Sequence, residues 1–370
     1  MEGAGGAAEP VSRRAWPDTQ KGGTVTVRLS DVASHAGVSE ATVSRVLNAK
    51  PGVAAQTRQA VLAALDVLGY ERPSRLRSTS AGLIGLIVPE LENPVFPAFV
   101  QVIETILAQR EYTPLLCTQT PGGVTEDEYV EMLVDRGVAG ILFVSGLHAD
   151  STASPARYHR LRELGLPIVL VNGFVPGLGV PFVSTDDVAA AELAVQHLAS
   201  LGHRRIGLAI GPRRFVPAAR KIDGFSRALR GVPGAPDPDG LVATSFFTVE
   251  GGRACAEQLL DAGCTAIVCG SDLMALGAVR AVRQRGLTVP GDVSVIGYDD
   301  SPLIPFTDPP LTTVRQAVPA MASAAVQALL EQIAGVPADP SELLFTPELV
   351  VRGSTGAAPL GGGQSGVKHP

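Results

Sequence analysis

The sequence predicts two folds in one chain: a small all-α helix-turn-helix headpiece, then an α/β core of two parallel-sheet lobes. Three observations predict this. Residues 28–48 read RLSDVASHAGVSEATVSRVLN, two short amphipathic segments hinged on a glycine. From Leu83 onward, short apolar runs alternate with amphipathic segments, the rhythm of strands and helices built around parallel sheets. The formal charge of −6 is also unevenly spread: residues 27–82 carry seven Lys/Arg against four Asp/Glu, and residues 83–370 carry 20 against 29. A local basic excess is what neutralising a phosphate backbone requires.

Taken in order, residues 1–26 are rich in Gly and Ala, balance their charges and lack an apolar signal core, so they read as a disordered leader. In the next segment Val32, Ala33 and Ala36 share one helical face, and Val43, Val46 and Leu47 share another. Gly37 can take the left-handed conformation that ends a helix, and Ser39 is a suitable N-cap for the following one. Thr42, Ser44, Arg45 and Asn48 point outward, as a recognition helix or a merely solvated hairpin would have them. A third helix, Gln56 to Gly69, carries Val61, Leu62, Leu65 and Leu68 on one stripe to close a mini-core. This delimits a DNA-binding domain at 27–72. The segment 73–82, with Arg75 and Arg77 close to Arg72, reads as a solvated linker.

The letters themselves, Asp31-Val32-Ala33, Ala36-Gly37-Val38-Ser39 and Thr42 to Asn48, closely resemble the headpiece signature of the LacI/GalR family of bacterial transcription regulators. The resemblance implies that Ser39, Glu40, Ala41, Thr42, Ser44, Arg45 and Asn48 face DNA. Glu40 and Ala41 occupy the variable base-reading positions, suited to a cytosine amino group and a thymine methyl, and Arg45 suits guanine. Thr42, Ser44 and Asn48 would position the phosphate backbone. It also implies a hinge helix at 73–82 whose Leu76 wedges into the minor groove. That segment is about three residues shorter than the family pattern. The run from Gly37 to Pro73 further resembles actinobacterial regulators of maltose or maltodextrin use, which implies an α-glucoside effector.

In the core, Leu83–Val88, Leu115–Cys117, Ile141–Val144, Ile168–Val171, Ile206–Ile210, Ala266–Cys269 and Val293–Gly297 read as seven buried strands. Helices are expected near 96–110, 125–136, 187–201, 219–230, 251–262 and 273–285, with a late one from Met321 to Ala334. A break near Ser184-Thr185-Asp186 divides lobe one, about 83–184 with 316–335, from lobe two, about 185–315 with 338–352. Residues 353–370, Gly-rich with one leucine, read as a flexible tail. Asn93-Pro94, Leu201 to Ile206, Asp272 with Met274 to Gly277, Gly297 to Asp300 and Pro309 to Val314 continue the family resemblance. It implies a periplasmic-binding-protein-like core holding a sugar effector between its lobes.

Ligands of open parallel sheets bind beyond the carboxyl ends of the strands. That rule selects Asn93, Ser145, Asn172, Ser271, Asp272 and Asp299, with Asp186 at the lobe crossing and Arg220 and Lys221 opening a helix. Such groups can bond vicinal hydroxyls, while Phe96, Phe174, Phe215 or Phe247 can cover an apolar ring face. Each also has a structural alternative, as helix cap, turn or core. Two departures from the family matter: Lys221 stands where arginine is usual and offers no planar fork, and Ser271 replaces the usual asparagine.

The bulk composition narrows the remaining classes. Four cysteines and six scattered histidines show no metal-ligand spacing, so neither metal nor cofactor is expected; buried thiols in a reducing cytosol fit better. No apolar run approaches the ~18 residues that span a bilayer. The expected protein is a cytoplasmic, homodimeric repressor of palindromic operators, controlled by a small effector, with typical coupling of ~1–3 kcal/mol. Residues 353–370 hold no leucine heptad, so dimer is the expected limit. A solute-binding protein of the same core would need a signal peptide or lipid-anchor cysteine. An enzyme using Asp299 and Asp300 would have two adjacent carboxylates poorly placed to flank a bond.

Overall fold

The computed structural model describes residues 27–47, 52–68, 70, 82–119, 122–337 and 339–359. The leader, Asn48, Leu76 with the hinge up to residue 81, and residues 360–370 lie outside them. The chain forms two compact units, a headpiece and a core.

The described residues of the headpiece form three helices, α1 (Leu29–Ala36), α2 (Glu40–Leu47) and α3 (Ala55–Val67). Gly37 ends α1 at φ +65°, with its neighbour Val38 donating back to the Ala33 carbonyl. The Ser39 hydroxyl accepts from the Thr42 amide at 3.3 Å, capping α2. Val32, Ala33, Val43, Val46, Val61 and Ala64 are its buried centre. Leu62, expected on the inner stripe of α3, is instead exposed. Burial of Val61 and Ala64 turns it outward, and the small Ala64 lets α3 lie close to α1 and α2.

Among the described residues twelve strands build the core, five more than expected, in two six-stranded sheets. Lobe one contains β1 (Gly82–Val88), β2 (Tyr112–Thr118), β3 (Gly140–Val144), β4 (Ile168–Val171), β5 (Phe182–Thr185) and β11 (Glu342–Phe345), ordered β11-β5-β4-β3-β1-β2. Lobe two contains β6 (Ile206–Ile210), β7 (Val242–Thr244), β8 (Ala266–Cys269), β9 (Ser294–Asp299), β10 (Thr312–Arg315) and β12 (Glu348–Val350), ordered β12-β10-β9-β8-β6-β7. All pairings are parallel except β10 with β12. The central strands are buried throughout because helices cover both faces.

In lobe one, α4 (Val95–Gln109) and α11 (Val318–Ile333) cover one face, and α5 (Glu126–Asp135) and α6 (Ala156–Glu163) the other. Lobe two is covered by α7 (Asp187–Ser200), α8 (Val216–Arg230), α9 (Val249–Asp261) and α10 (Asp272–Gln284). A side chain on Gly224 would meet the Val188 carbonyl at 2.3 Å, so glycine there lets α8 lie against α7.

Two boundary expectations are corrected. The chain crosses between lobes after β5, after β10 and again between β11 and β12, so residues 342–345 belong to lobe one rather than lobe two. Residues 353–359 are not loose. The buried Ser354 hydroxyl accepts from Thr312 and donates to Val295, and Gly356 and Ala358 bond Ser294 and Leu201. Composition misses this because backbone groups and a serine do the joining.

Candidate functional site

The strand order reverses between β1 and β3 in lobe one and between β6 and β8 in lobe two, the two topological switch points of the core. Loops leaving these strand ends wall a single interlobe cleft of about 340 Å³, within the size range of small-molecule sites. Lobe one contributes Pro89, Glu90, Asn93, Phe96, Gln119, Ser145, Ala149 and Asn172; lobe two contributes Asp187, Phe215, Pro217, Lys221, Phe247, Ser271, Tyr298 and Asp299, with Gln316 on a crossover. Three wall residues, Ser145 (φ +50°), Asn172 (φ +60°) and Asp299 (φ +115°), sit in the left-handed region at the ends of β3, β4 and β9. Such strain persists where the surroundings enforce it, and it gathers at functional sites.

Lobe two holds most of the charge. Lys221 and Asp187, both buried, pair directly. The Tyr298 hydroxyl donates to Asp187 at 2.8 Å, and the Lys221 ammonium lies 3.8 Å from the centre of the Tyr298 ring. Gln316 accepts from Thr185 through its oxygen and donates to Asp299 at 2.7 Å, which fixes its amide orientation. Burial and, next, the Asp272 carboxylate push the Asp299 carboxyl well above the usual range, against Gln316, Lys221 and Asn93. Burial, with Glu92 second, also raises Glu90.

Apart from Glu90, lobe one presents neutral hydrogen-bonding groups from a braced frame. Glu126, fully buried, accepts from the Tyr158 hydroxyl at 2.5 Å, the Leu147 amide at 2.8 Å and the Gln119 amide at 3.2 Å. This leaves the Gln119 oxygen as an acceptor. Phe247 and Phe215 lie with ring centres 6.4 Å apart on the opposite wall. A side chain on Gly211 would occupy the Phe247 ring, so that glycine seats the aromatic in the cleft.

Two interlobe pairs border the cleft. Arg220 forks onto Glu342 at 2.7 and 2.8 Å. Arg214 bonds Asp150 at 2.7 Å, and its carbonyl accepts from both the amide and the hydroxyl of Ser151.

Of the expected effector set, Asn93, Phe96, Ser145, Asn172, Lys221, Phe247, Ser271 and Asp299 line this cleft. Asp186, Arg220 and Asp272 do not. Asp186 turns back to cap α7 through the Ala189 amide. Arg220 faces Glu342, about 100° around α8 from Lys221. Asp272 points into the sheet, bonding the Ser301 amide and Thr313 hydroxyl at 2.7 Å each. Of the phenylalanines, Phe174 packs edge-on against Phe182 instead. Asp300 is held by Arg315 and Arg352, away from any acid–base pairing with Asp299.

Sequence reasoning missed Glu90, Gln119, Asp187, Tyr298 and Gln316. Gln119 directly follows β2, so the strand-end rule could have found it. Gln316 follows a strand that was not expected, and Tyr298, one residue past the expected strand Val293–Gly297, lies inside β9, which runs on to Asp299.

On the headpiece, Val43 and Val46 are buried, which turns Glu40, Ala41 and Arg45 outward on α2. Thr42 and Ser44 are half-buried, and Thr42 is bonded to the capping Ser39. The α2 surface therefore offers one acidic, one methyl and one guanidinium group, the set that major-groove edges can distinguish.

Residues 28–73 match the pattern of bacterial regulatory proteins of the lacI family, and residues 195–355 match a periplasmic binding protein-like domain. The chain is 65% identical to the HTH-type transcriptional regulator MalR of Streptomyces coelicolor over 338 residues, covering 90% of this chain and 98% of that one. Among solved structures, a complex of the transcriptional regulator CelR with cellobiose is 32% identical, with a TM-score of 0.66 over 89% of this chain and 99% of the other. The lac repressor dimer bound to operator and the anti-inducer ONPF is 29% identical, also with a TM-score of 0.66, over 90% and 99%.

Proposed function

The chain belongs to the lacI family of bacterial regulatory proteins and is a DNA-binding transcription regulator, and from that premise we propose that a sugar in the interlobe cleft sets its grip on a palindromic operator. One observation carries this reading: both switch points of the core open onto a single cleft walled by amides, carboxylates and aromatic rings from both lobes. Such walls suit a pyranose, with hydroxyls on the polar groups and the apolar ring face on Phe247 or Phe215. The CelR structure, which holds cellobiose, supports a saccharide. The Gly37–Pro73 resemblance favours an α-glucoside of the maltose or maltodextrin kind.

The effector acts by binding one lobe arrangement better than the other, since only a differential affinity can shift the equilibrium. Contacts to Asn93, Ser145 and Asn172 from one lobe and to Lys221, Ser271 and Asp299 from the other make closure and binding one event. The reading head uses Glu40, Ala41 and Arg45 for bases, with Ser39, Thr42, Ser44 and Asn48 toward phosphates and Leu76 in the minor groove. The protein acts as a homodimer in the cytoplasm, two heads reading the two half-sites. The exposed Leu303 and Phe306 of lobe two offer an apolar surface for the second copy.

The test is a gel-shift titration on a palindromic operator with and without maltose or maltotriose. Arg45→Ala is expected to erase the preference for operator over random duplex while leaving sugar binding intact. Asp299→Asn is expected to keep operator affinity and lose the sugar response. Unchanged selectivity in the first variant, or a full response in the second, refutes the assigned role.

A further inference from the structure

The cations of the cleft carry a consequence for ligand charge, which rests on the reading of the cleft as the effector site. Among the described residues that line it, Lys221 is the only cation, and it is already paired with the buried Asp187 and stacked on Tyr298. Arg220, one residue before it, is committed to Glu342 through both forks. Arg214, at the rim, is committed to Asp150. Two further carboxyl groups, Glu90 and Asp299, face the cleft, and among the described residues no cation lies within salt-bridge distance of either.

We infer that the cleft selects an uncharged polyhydroxyl ligand and rejects phosphorylated sugars and other anions. A phosphate placed here would meet Glu90 without a free cation. To recruit Lys221 it would have to take that group from Asp187 and leave a buried carboxylate alone. Near a protein surface, a like-charge contact at a few ångströms is enough to weaken binding tenfold or more. A neutral sugar meets no such opposition. Its hydroxyls donate to Glu90, Asp299 and the Gln119 oxygen, and accept from Asn93 and Asn172.

The experiment is isothermal titration of the full chain, at one fixed ionic strength, with matched pairs: maltose and maltose 6′-phosphate, glucose and glucose 6-phosphate. Where a neutral member binds, its phosphorylated partner is expected to bind at least tenfold more weakly. Asp187→Asn keeps the shape of the pair and frees the Lys221 charge, so it is expected to gain at least tenfold in affinity for glucose 6-phosphate. Adding Lys221→Gln is expected to abolish that gain, which places it in the cleft rather than on the headpiece. A phosphorylated sugar that outbinds its neutral partner in the unmodified protein overturns the inference, as does the absence of any gain in a folded Asp187→Asn. Should Asp187→Asn fail to fold, Glu90→Gln takes its place, with a smaller gain expected and none overturning the inference. If neither neutral sugar binds, the sugar reading fails, while the Asp187→Asn gain still decides the charge claim.

Discussion

The two walls of the cleft are built on different principles. Apart from Glu90, lobe one presents neutral amides and a hydroxyl, and among the described residues Ser145 and Asn172 have no side-chain partner that would hold them back from a ligand. Lobe two presents a charged set, Lys221, Asp187, Tyr298, Asp299 and Gln316, whose members mostly bond one another. One wall is free to recognise, while the other must first satisfy its own buried charge. Altering the two walls should therefore produce different failures.

The largest effect is expected in lobe two. Lys221→Met removes one partner of a buried pair and leaves Asp187 charged and nearly solvent-free, a change that typically costs ~3–5 kcal/mol. Urea unfolding followed by circular dichroism should show the loss, and adding Asp187→Leu should recover most of it. A single variant as stable as the parent would mean that this wall is not self-satisfying.

The next contrast is in pH. His148 of lobe one is fully buried, and burial depresses its pKa to about 4, against the bond to the Val171 carbonyl. The unfolded chain takes up that proton near pH 6.5, before the native state does. Stability is therefore intact above about 6.5 and falls as the pH drops toward 4, by about 3 kcal/mol at 1.36 kcal/mol per unit. Asp272 of lobe two runs the other way. Burial pushes it up to about 6, against bonds from Ser301 and Thr313, so the native state takes up a proton first. Its unfavourable charge is relieved as the pH falls through 6 toward the ordinary carboxylate range. Hydrogen exchange, corrected for intrinsic rates, should show β3 and β4 losing more protection between pH 6.5 and 4.5 than β8 and β9, where the loss from the buried His203, also lowered by burial, is opposed by the gain at Asp272. Parallel loss in both lobes would break the contrast.

The same contrast explains what the sequence reveals. Ser145 and Asn172 are legible because a residue just past a parallel strand is delivered to the sheet edge whatever the details of packing, and Asn93 lies five residues on in the loop that leaves β1. Lobe two was read one residue off at several points. Asp186 was chosen where Asp187 lines the wall, Arg220 was added to Lys221, and Asp272 to Ser271. Neighbours on a helix point about 100° apart, and without helix phase a polar pair cannot be split. The headpiece was the most legible region, since its buried valines, its glycine and its cap are all local in sequence. Of the five strands not expected, β7, β11 and β12 are short edge strands, the last two barely buried; β5 and β10 are interior, but two of the four residues in each are Ser or Thr, so no apolar run marks them.

A smaller effect is expected at Asn172. Its φ of +60° is a conformation that glycine adopts freely. Asn172→Gly should leave unfolding stability unchanged or raise it by up to ~1 kcal/mol. It should also weaken maltose binding about tenfold, the effect of losing ~1.4 kcal/mol of ligand interaction. Stability and affinity moving together in this variant would show that lobe one's wall is structural after all.

The smallest effect belongs to the rim. The Arg214 side chain is about half exposed and its pair with Asp150 is open to solvent on one side, so the pair contributes ~0.2–1 kcal/mol. The bonds from Ser151 go to the Arg214 carbonyl, and Arg214→Ala retains them. The variant should therefore weaken effector affinity only about two- to fivefold. The parent's affinity should fall toward the variant's as salt is raised, because added ions screen an exposed pair and leave the Lys221–Asp187 pair largely untouched. The operator response should saturate at the same level, at a higher sugar concentration. A loss larger than that of Asn172→Gly would shift the weight of closure from the cleft walls to the rim.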